Sequence, residues 1–388
     1  MKRLAILYWL ILFNAVATTA RHCDANEPAA GESVANVRGA EEPPVIPVGL
    51  DALRQWERWP YQRIGARAYM RSTYDRSGGN EGADASHFLY QTADDFNVAL
   101  DIEGPGVLYF ARYNHWHGSP WHYEVDHIDH IVQETTTATP TKPVAGSVFL
   151  PVEAFPKALA PTWSETRGAD LMWAPIPFEQ SFRMAYSRTH YGTGYYIYRQ
   201  YVRGARLSRS IRSWDAKTAP DEDVVRSIHR AGTELAPDPA GYGNREVEAV
   251  SGQRPLDAQA AILARITHAP SMLQALEFSV PRESAILFGR ARLRITWDDR
   301  PQPSIDAPIA LFFGAGTLYN RDGREYLVKA FPVHIRFDER RVYLACYFPM
   351  PFFRSARIEL RNTEPMNLLD VKWSVRYTPY HDPPEHVG

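Results

Sequence analysis

The densest chemistry in the chain lies in Asn114-His115-Trp116-His117-Gly118-Ser119-Pro120-Trp121-His122-Tyr123-Glu124-Val125-Asp126. Two Trp, one Tyr, three His, an Asn and two acids fall within thirteen residues. Flat aromatic faces stack on sugar C–H surfaces, while Asn, Asp, Glu and His satisfy hydroxyls. In an extended strand His115 and His117 share a face, as do Glu124 and Asp126. The site is therefore expected to draw Trp116, His117, Trp121, His122 and Glu124 from this segment. Glu124 and Asp126 are its only carboxylate pair with workable catalytic geometry. A metal reading would add His127 and His130, but no known ligand spacing fits, so no metal or cofactor is expected.

Two further segments carry polar groups suited to the same cleft. Tyr74-Asp75-Arg76-Ser77-Gly78-Gly79-Asn80 is a glycine-rich turn offering Asp75, Arg76 and Asn80; it lacks the Gly-Lys-Ser/Thr ending of a phosphate loop. Ser187-Arg188-Thr189-His190 ends a strand pattern and projects Arg188 and His190. The chain contains neither a Gly-x-Ser-x-Gly elbow nor a His-Glu-x-x-His helix. A metal-dependent hydrolase or serine esterase is thus the less favoured alternative to a carbohydrate cleft.

The elements that must position these groups are strands. Pro175-Ile176-Pro177-Phe178-Glu179-Gln180-Ser181-Phe182-Arg183-Met184 resembles Pro349-Met350-Pro351-Phe352-Phe353-Arg354-Ser355-Ala356-Arg357-Ile358. Tyr123 precedes the first copy by 52 residues, and Trp297 precedes the second by the same 52. That shared spacing marks an internal duplication. Pro-x-Pro-Phe excludes a central helix, and alternation after it reads as a strand. The fold class expected is all-β: two jelly-roll-like β-sandwiches joined by a linker with one or two helices. The sandwiches are placed at residues 65–208 and 271–388, with a helix-containing linker at 209–270. Asp221 to Leu235 reads as an amphipathic helix and Ala258 to Ile266 as a second.

Composition sets the limits. The 388 residues carry a net charge of −2, which argues against nucleic acid as a partner. Thirty prolines with 10 Trp, 21 Tyr and 17 Phe favour short strands and loops. Two cysteines exclude a disulfide framework, and Cys346 reads as a buried thiol. Lys2 and Arg3 precede an apolar run, Leu4 to Leu12, and small residues at Ala15–Ala20. This is a signal-peptide pattern over residues 1–20, followed by a flexible lead-in at 21–64. A secreted or periplasmic protein is expected, with no membrane attachment after cleavage.

Together, Tyr-Asp-Arg-Ser-Gly-Gly-Asn at 74–80, Gly104-Pro105-Gly106, the Pro-Ile-Pro-Phe segment at 175–183, Phe312-Phe313-Gly314-x-Gly316 and Cys-Tyr-Phe-Pro-Met-Pro-Phe at 346–352 resemble the DUF2961 proteins, glycoside hydrolase family 172. The resemblance covers about residues 70–380. It implies jelly-roll sandwiches, homo-trimers or hexamers, and retaining cleavage of furanosides such as difructose dianhydrides or D-arabinofuranosides. The family's two catalytic glutamates sit in a Trp-Trp-Gly-Glu-Gly-Asp and a Gly-Thr-Glu-Asp-Tyr-Phe motif. Neither occurs in these 388 residues. The expectation is a furanoside-active relative lacking the catalytic half, or a non-catalytic carbohydrate-binding or assembly module of the same fold.

Overall fold

A computed structural model describes residues 42–74, 87–92, 94, 96–113, 120–136, 145–166, 168–187, 194–236, 246–257, 260–365 and 367–387. The first sandwich is built from β1 Ala66–Ser72, β2 Tyr90–Gln91, β3 Phe96–Glu103, β4 Gly106–Tyr113, β5 Trp121–Val125, β6 Ile128–Glu134, β7 Phe149–Leu150, β8 Asp170–Met172, β9 Ile176–Phe178, β10 Ser181–Ser187 and β11 Tyr195–Tyr201. The second uses β12 Glu248–Leu256, β13 Ala260–Ile266, β14 Ser271–Pro281, β15 Arg292–Trp297, β16 Ile305–Pro308, β17 Tyr326–Lys329, β18 Val333–Phe337, β19 Arg341–Cys346, β20 Met350–Phe352, β21 Ala356–Arg361 and β22 Leu368–Pro379.

The duplication is visible in strand order. One sheet of the first sandwich runs β1-β11-β4-β8 with β9 on β4, and its counterpart runs β12-β22-β14-β19 with β20 on β14. The facing sheets contain β3-β10-β5-β6 and β13-β21-β15-β16. The two Pro-x-Pro-Phe segments therefore occupy equivalent places, β9–β10 and β20–β21. Each crosses from one sheet to the other at a corner that leaves backbone N–H groups without ladder partners. An aspartate after the matching strand takes them up. Asp126 accepts from the amides of Glu179, Gln180 and Ser181 at 2.9, 2.6 and 2.8 Å. Asp298 accepts from Phe353, Arg354 and Ser355 at 2.7, 2.7 and 3.4 Å. Both aspartates sit at positive φ, 47° and 55°, a region that Asp tolerates better than most residues.

Each sandwich closes over its own core. Tyr113, Trp121, Tyr123, Phe178, Phe182 and Tyr196 dominate the first. Leu273, Phe278, Phe288, Leu293, Phe313 and Ile358 are among the residues of the second. Cys346 lies in that second core, and burial pushes its thiol up to about 11.

Three boundaries differ from the sequence reading. The lead-in was expected to be flexible through residue 64, yet from residue 43 onward it is packed. Ile46 and Val48 are buried, Ile46 bridges to Leu207, and Trp56 and Trp59 lie against Phe331. Ala258 to Ile266 was expected as a helix; β13 runs there instead, pairing with β21. A short, mostly apolar stretch has no length to separate helix from strand, and over 260–266 pairing with β21 settled it. β12 and β13 thus belong to the second sandwich, not to a linker. The expected 221–235 helix is present but shorter, Glu222–His229, with Val224 buried. Gly232 at φ 85° turns the chain beyond it.

Candidate functional site

The structure describes one part of the expected cleft, a sheet face. Three segments hold Asp75, Arg76, Asn80, Trp116, His117, Arg188 and His190, and all seven lie outside the described residues. The residues bordering those segments are neighbours at one end of the first sandwich. Ser72 pairs with Tyr195 and Tyr195 with Arg112. The Gly194 amide donates to Thr73 Oγ1 at 2.9 Å. Tyr113 stacks on Trp121 at 4.3 Å, joining the ends of the two sheets.

The remaining expected residues sit on β5 and the turn after it. Burial alternates along β5, so His122 and Glu124 share the outer face while Trp121, Tyr123 and Val125 point inward. Glu124 forms an ion pair with Arg183 on β10, and His127 lies 4.0 Å from the same carboxylate. Across β3 and β2 the row continues with Asp101 and Tyr90, which are hydrogen bonded to each other. His122 Nδ1 meets Asp129 at 2.7 Å, and Phe96 packs edge-on against its ring at 4.5 Å. This face offers hydroxyl partners on the outer surface of a sheet.

Two expected site residues are corrected. Trp121 is fully buried between Tyr113 and Phe149, so its ring presents no stacking face to a ligand. Its position on the inward side of β5 decides this. Asp126 is not on the Glu124 face; the chain turns after Val125, and its carboxylate is used by three amides and the Ser213 hydroxyl. Burial raises its pKa, but these hydrogen bonds outweigh that and leave it below the usual carboxylate range. The histidines also diverge: His122 is on the outer face, whereas His130 lies inward, edge-on to Trp214 at 5.3 Å. Among the described residues no three His, Cys, Asp or Glu side chains are grouped to hold a metal.

Sequence reasoning missed a second group of ionisable residues. A cleft of about 420 Å³ lies against the β22–β14–β19–β18 part of the second sandwich's larger sheet, beside the strap that follows the Glu222–His229 helix. Arg376 Nη2 on β22 donates to Glu234 Oε2 of the strap at 2.7 Å and to Glu277 Oε2 of β14 at 2.8 Å. Both carboxylates thus meet on one guanidinium nitrogen, with their bonded oxygens no farther apart than the sum of those bonds, about 5.5 Å. Tyr347 donates to Glu277 Oε1 at 3.2 Å. Burial raises the Glu277 pKa despite Arg376, while the Arg376 guanidinium is raised because its carboxylate partners outweigh its own desolvation. His334, also in the cleft, is lowered by burial and by Arg336. No local pattern signals this group, because its members are 99 and 142 residues apart in sequence.

Residues 259–375 match the family model described as GH172 domain-like. No curated protein matches the chain. Among solved structures, similarity is found to vicilin from Capsicum annuum, at 6% identity and a TM-score of 0.13, over 72% of this chain and 76% of that one. Vicilin from Solanum lycopersicum (tomato) is similar at 10% identity and a TM-score of 0.15, over 82% and 83%. The sandwich assignment stands on the strand pairing above.

Proposed function

We propose, from a second sandwich that is a GH172-like domain, that this is an exported protein that recognises furanoside-containing glycans and assembles as a homo-oligomer. A glycoside-hydrolase-like domain implies interaction with carbohydrate. Export rests on Lys2, Arg3 and the apolar run after them. Furanosides and a trimeric or hexameric assembly rest on the motif resemblance. Recognition without cleavage at the first sandwich is favoured by one observation: both carboxylates offered there have fixed partners. Asp126 is held by backbone amides, and Glu124 by Arg183. A retaining mechanism needs two carboxyls free to exchange a proton and to attack.

A second reading places hydrolysis at Glu234 and Glu277. The meeting of two carboxylates on one guanidinium favours it, as does the contrast between a half-buried acid whose pKa is raised by burial and a more exposed one; catalysis there would require Arg376 to release both. Purified protein assayed on aryl α-arabinofuranosides and fructofuranosides tests both readings. Binding with turnover below about 1 s⁻¹ is expected, that being the low end of ordinary enzyme rates. Faster turnover abolished by Glu124→Gln would overturn the first reading. Faster turnover abolished by Glu277→Gln and spared by Glu124→Gln would establish the second.

A further inference from the structure

We infer that the second sandwich binds an oxyanion of the phosphate type in a pocket of about 200 Å³ at the corner where β20 passes into β21, walled by Arg265, Arg300, Arg354 and Arg357. The site stands apart from the glycan reading above. Its volume is below that of clefts that take whole small molecules, about 300–1,000 Å³, and suits a single charged group.

The duplicated halves differ in charge at this place. In the first sandwich Arg183 on β10 is flanked across the sheet by Asp101 of β3 and Glu124 of β5. Glu124 forms an ion pair with it, so the arginine is neutralised from within the chain. The equivalent strands of the second sandwich are β13, β21 and β15, and the equivalent arginine is Arg357. There Arg265 stands where Asp101 does, and Thr296 stands where Glu124 does. Two acids beside one arginine are replaced by a second arginine and a hydroxyl. Like charges directly opposite on neighbouring strands are destabilising, and an anion held between Arg265 and Arg357 relieves that repulsion.

The chain's own acids do not supply that charge. Among the described residues the side chains of Arg265, Arg300 and Arg354 make no ion pair or hydrogen bond. Arg357 has Glu359 of its own strand 3.1 Å from Nε, and its Nη2 reaches only Thr296 Oγ1, at 3.5 Å. Asp299, the one acid on the pocket wall, accepts from the Ser355 hydroxyl at 2.8 Å. Asp298 beside it is committed to the backbone amides of the corner. The guanidinium groups are open to a ligand: Arg265, Arg300 and Arg354 are exposed, and the Arg357 side chain is 40% exposed. This cluster of cations stands on a chain whose net charge is −2.

The donors select the ligand. A guanidinium presents its N–H groups in a planar fork that matches the oxygens of phosphate, two bonds at a time. Several such forks around one small pocket favour a compact, multiply charged anion over a lone carboxylate. The Thr267 hydroxyl on the same wall adds a neutral donor. Every lining residue is polar or charged, with neither an aromatic ring nor an aliphatic side chain among them, so recognition rests on the anionic group itself and not on what carries it.

Titration calorimetry of the full chain tests this, with inorganic phosphate and glycerol 3-phosphate as probes and ionic strength held constant with chloride. At about pH 7.5, where phosphate is mostly doubly charged, at least one probe is expected to bind with a Kd below about 1 mM. Arg265→Gln and Arg354→Gln should each weaken binding about tenfold, with an unchanged circular dichroism spectrum. Thr296→Glu gives the second half the acid that the first half has, and should abolish binding; if it fails to fold, the two exposed arginine variants decide. Arg321→Gln, which removes an exposed arginine paired with Asp322 outside the pocket, should leave affinity unchanged. Equal affinity for the two probes would identify a free anion as the ligand. At least tenfold tighter binding of glycerol 3-phosphate would identify a phosphate ester. Binding of neither probe, wild-type affinity in the folded arginine variants, or an equal loss in Arg321→Gln would overturn the site.

Discussion

Asp126 and Asp298 carry the structural logic of the molecule at the residue scale. The same side chain, at the same kind of positive-φ turn, closes the same sheet-switching corner in both halves. Hydrogen bonds from amides to a carboxylate are charge-assisted and stronger than neutral ones. Asp126→Ala removes three of them, and because the group is partly solvated the loss should be about 2 kcal/mol at pH 7, read as a lower urea midpoint. A change below about 0.5 kcal/mol would mean the corner holds without its cap. The folded Asp126 pKa lies below its unfolded value, so its contribution is complete above pH ~4 and disappears as pH falls through the folded value. The wild-type and Asp126→Ala curves should accordingly converge in acid. Residue types in the 114–126 segment were readable as chemistry, but their use was not. A Trp beside a His looks like a sugar platform until β5 turns it into the core, and an Asp two after a Glu looks like its partner until the chain bends between them.

Contacts made across strands decide the next scale. Gly106 and Phe178 face each other in the β4–β9 pair, and a Cβ on Gly106 would meet the Phe178 ring at 2.3 Å. Phe178 is fully buried and has no room to retreat. Gly106→Ala should therefore destabilise by about 1–3 kcal/mol, the range for overpacking, with thermal melting as the measurement. An unchanged melting temperature would show that β9 shifts freely. In the second sandwich Arg376 ties the strap to β14 through Glu234 and Glu277. Arg376→Met leaves two carboxylates facing each other, one of them half-buried and the other exposed. The cost should be about 1–3 kcal/mol at pH 7, the range for leaving a part-buried polar group without its partner. Glu277 has a raised folded pKa, so its proton is held more tightly folded than unfolded, and ionising it opposes folding as pH rises. The penalty of the variant should shrink on going from pH 7 to pH 5, as Glu277 takes up a proton; a pH-independent penalty would count against that account.

Over the whole molecule, two cores are bridged by the chain that precedes and joins them. Trp56 packs with Leu235 and Ala236 of the strap beside Ala275, Ala345 and Tyr347 of the second sandwich, and meets Phe331 edge-on at 5.4 Å. Trp56→Ala should cost about 2–4 kcal/mol in urea denaturation, since the ring is only part-buried and the strap closes over part of the space. A cost under about 0.5 kcal/mol would mean that the 43–64 segment is loosely held, as its composition suggests. The described residues contain no helix long and apolar enough to cross a membrane.

The amino-acid sequence by itself determined the duplication, the strand-rich class and the corners, because these depend on short-range regularities. Proline forbids helix, alternation selects strands, and an equal 52-residue spacing repeats whole elements. Tertiary structure alone decided which face each strand turns inward, which acid is a cap and which is ion-paired, and where residues 99 to 142 positions apart meet. The reason is that burial and pairing belong to two strands at once. Trp121 is in the core because Tyr113 and Phe149 close over it. Glu277 becomes a raised acid because burial, together with Glu234 on a strap from elsewhere in the chain, outweighs Arg376 and Tyr347, which both favour its ionised form. Gln274 is stranded without a partner for its Oε1 because a one-residue slip against β22 takes it out of the ladder, a displacement that local sequence does not encode.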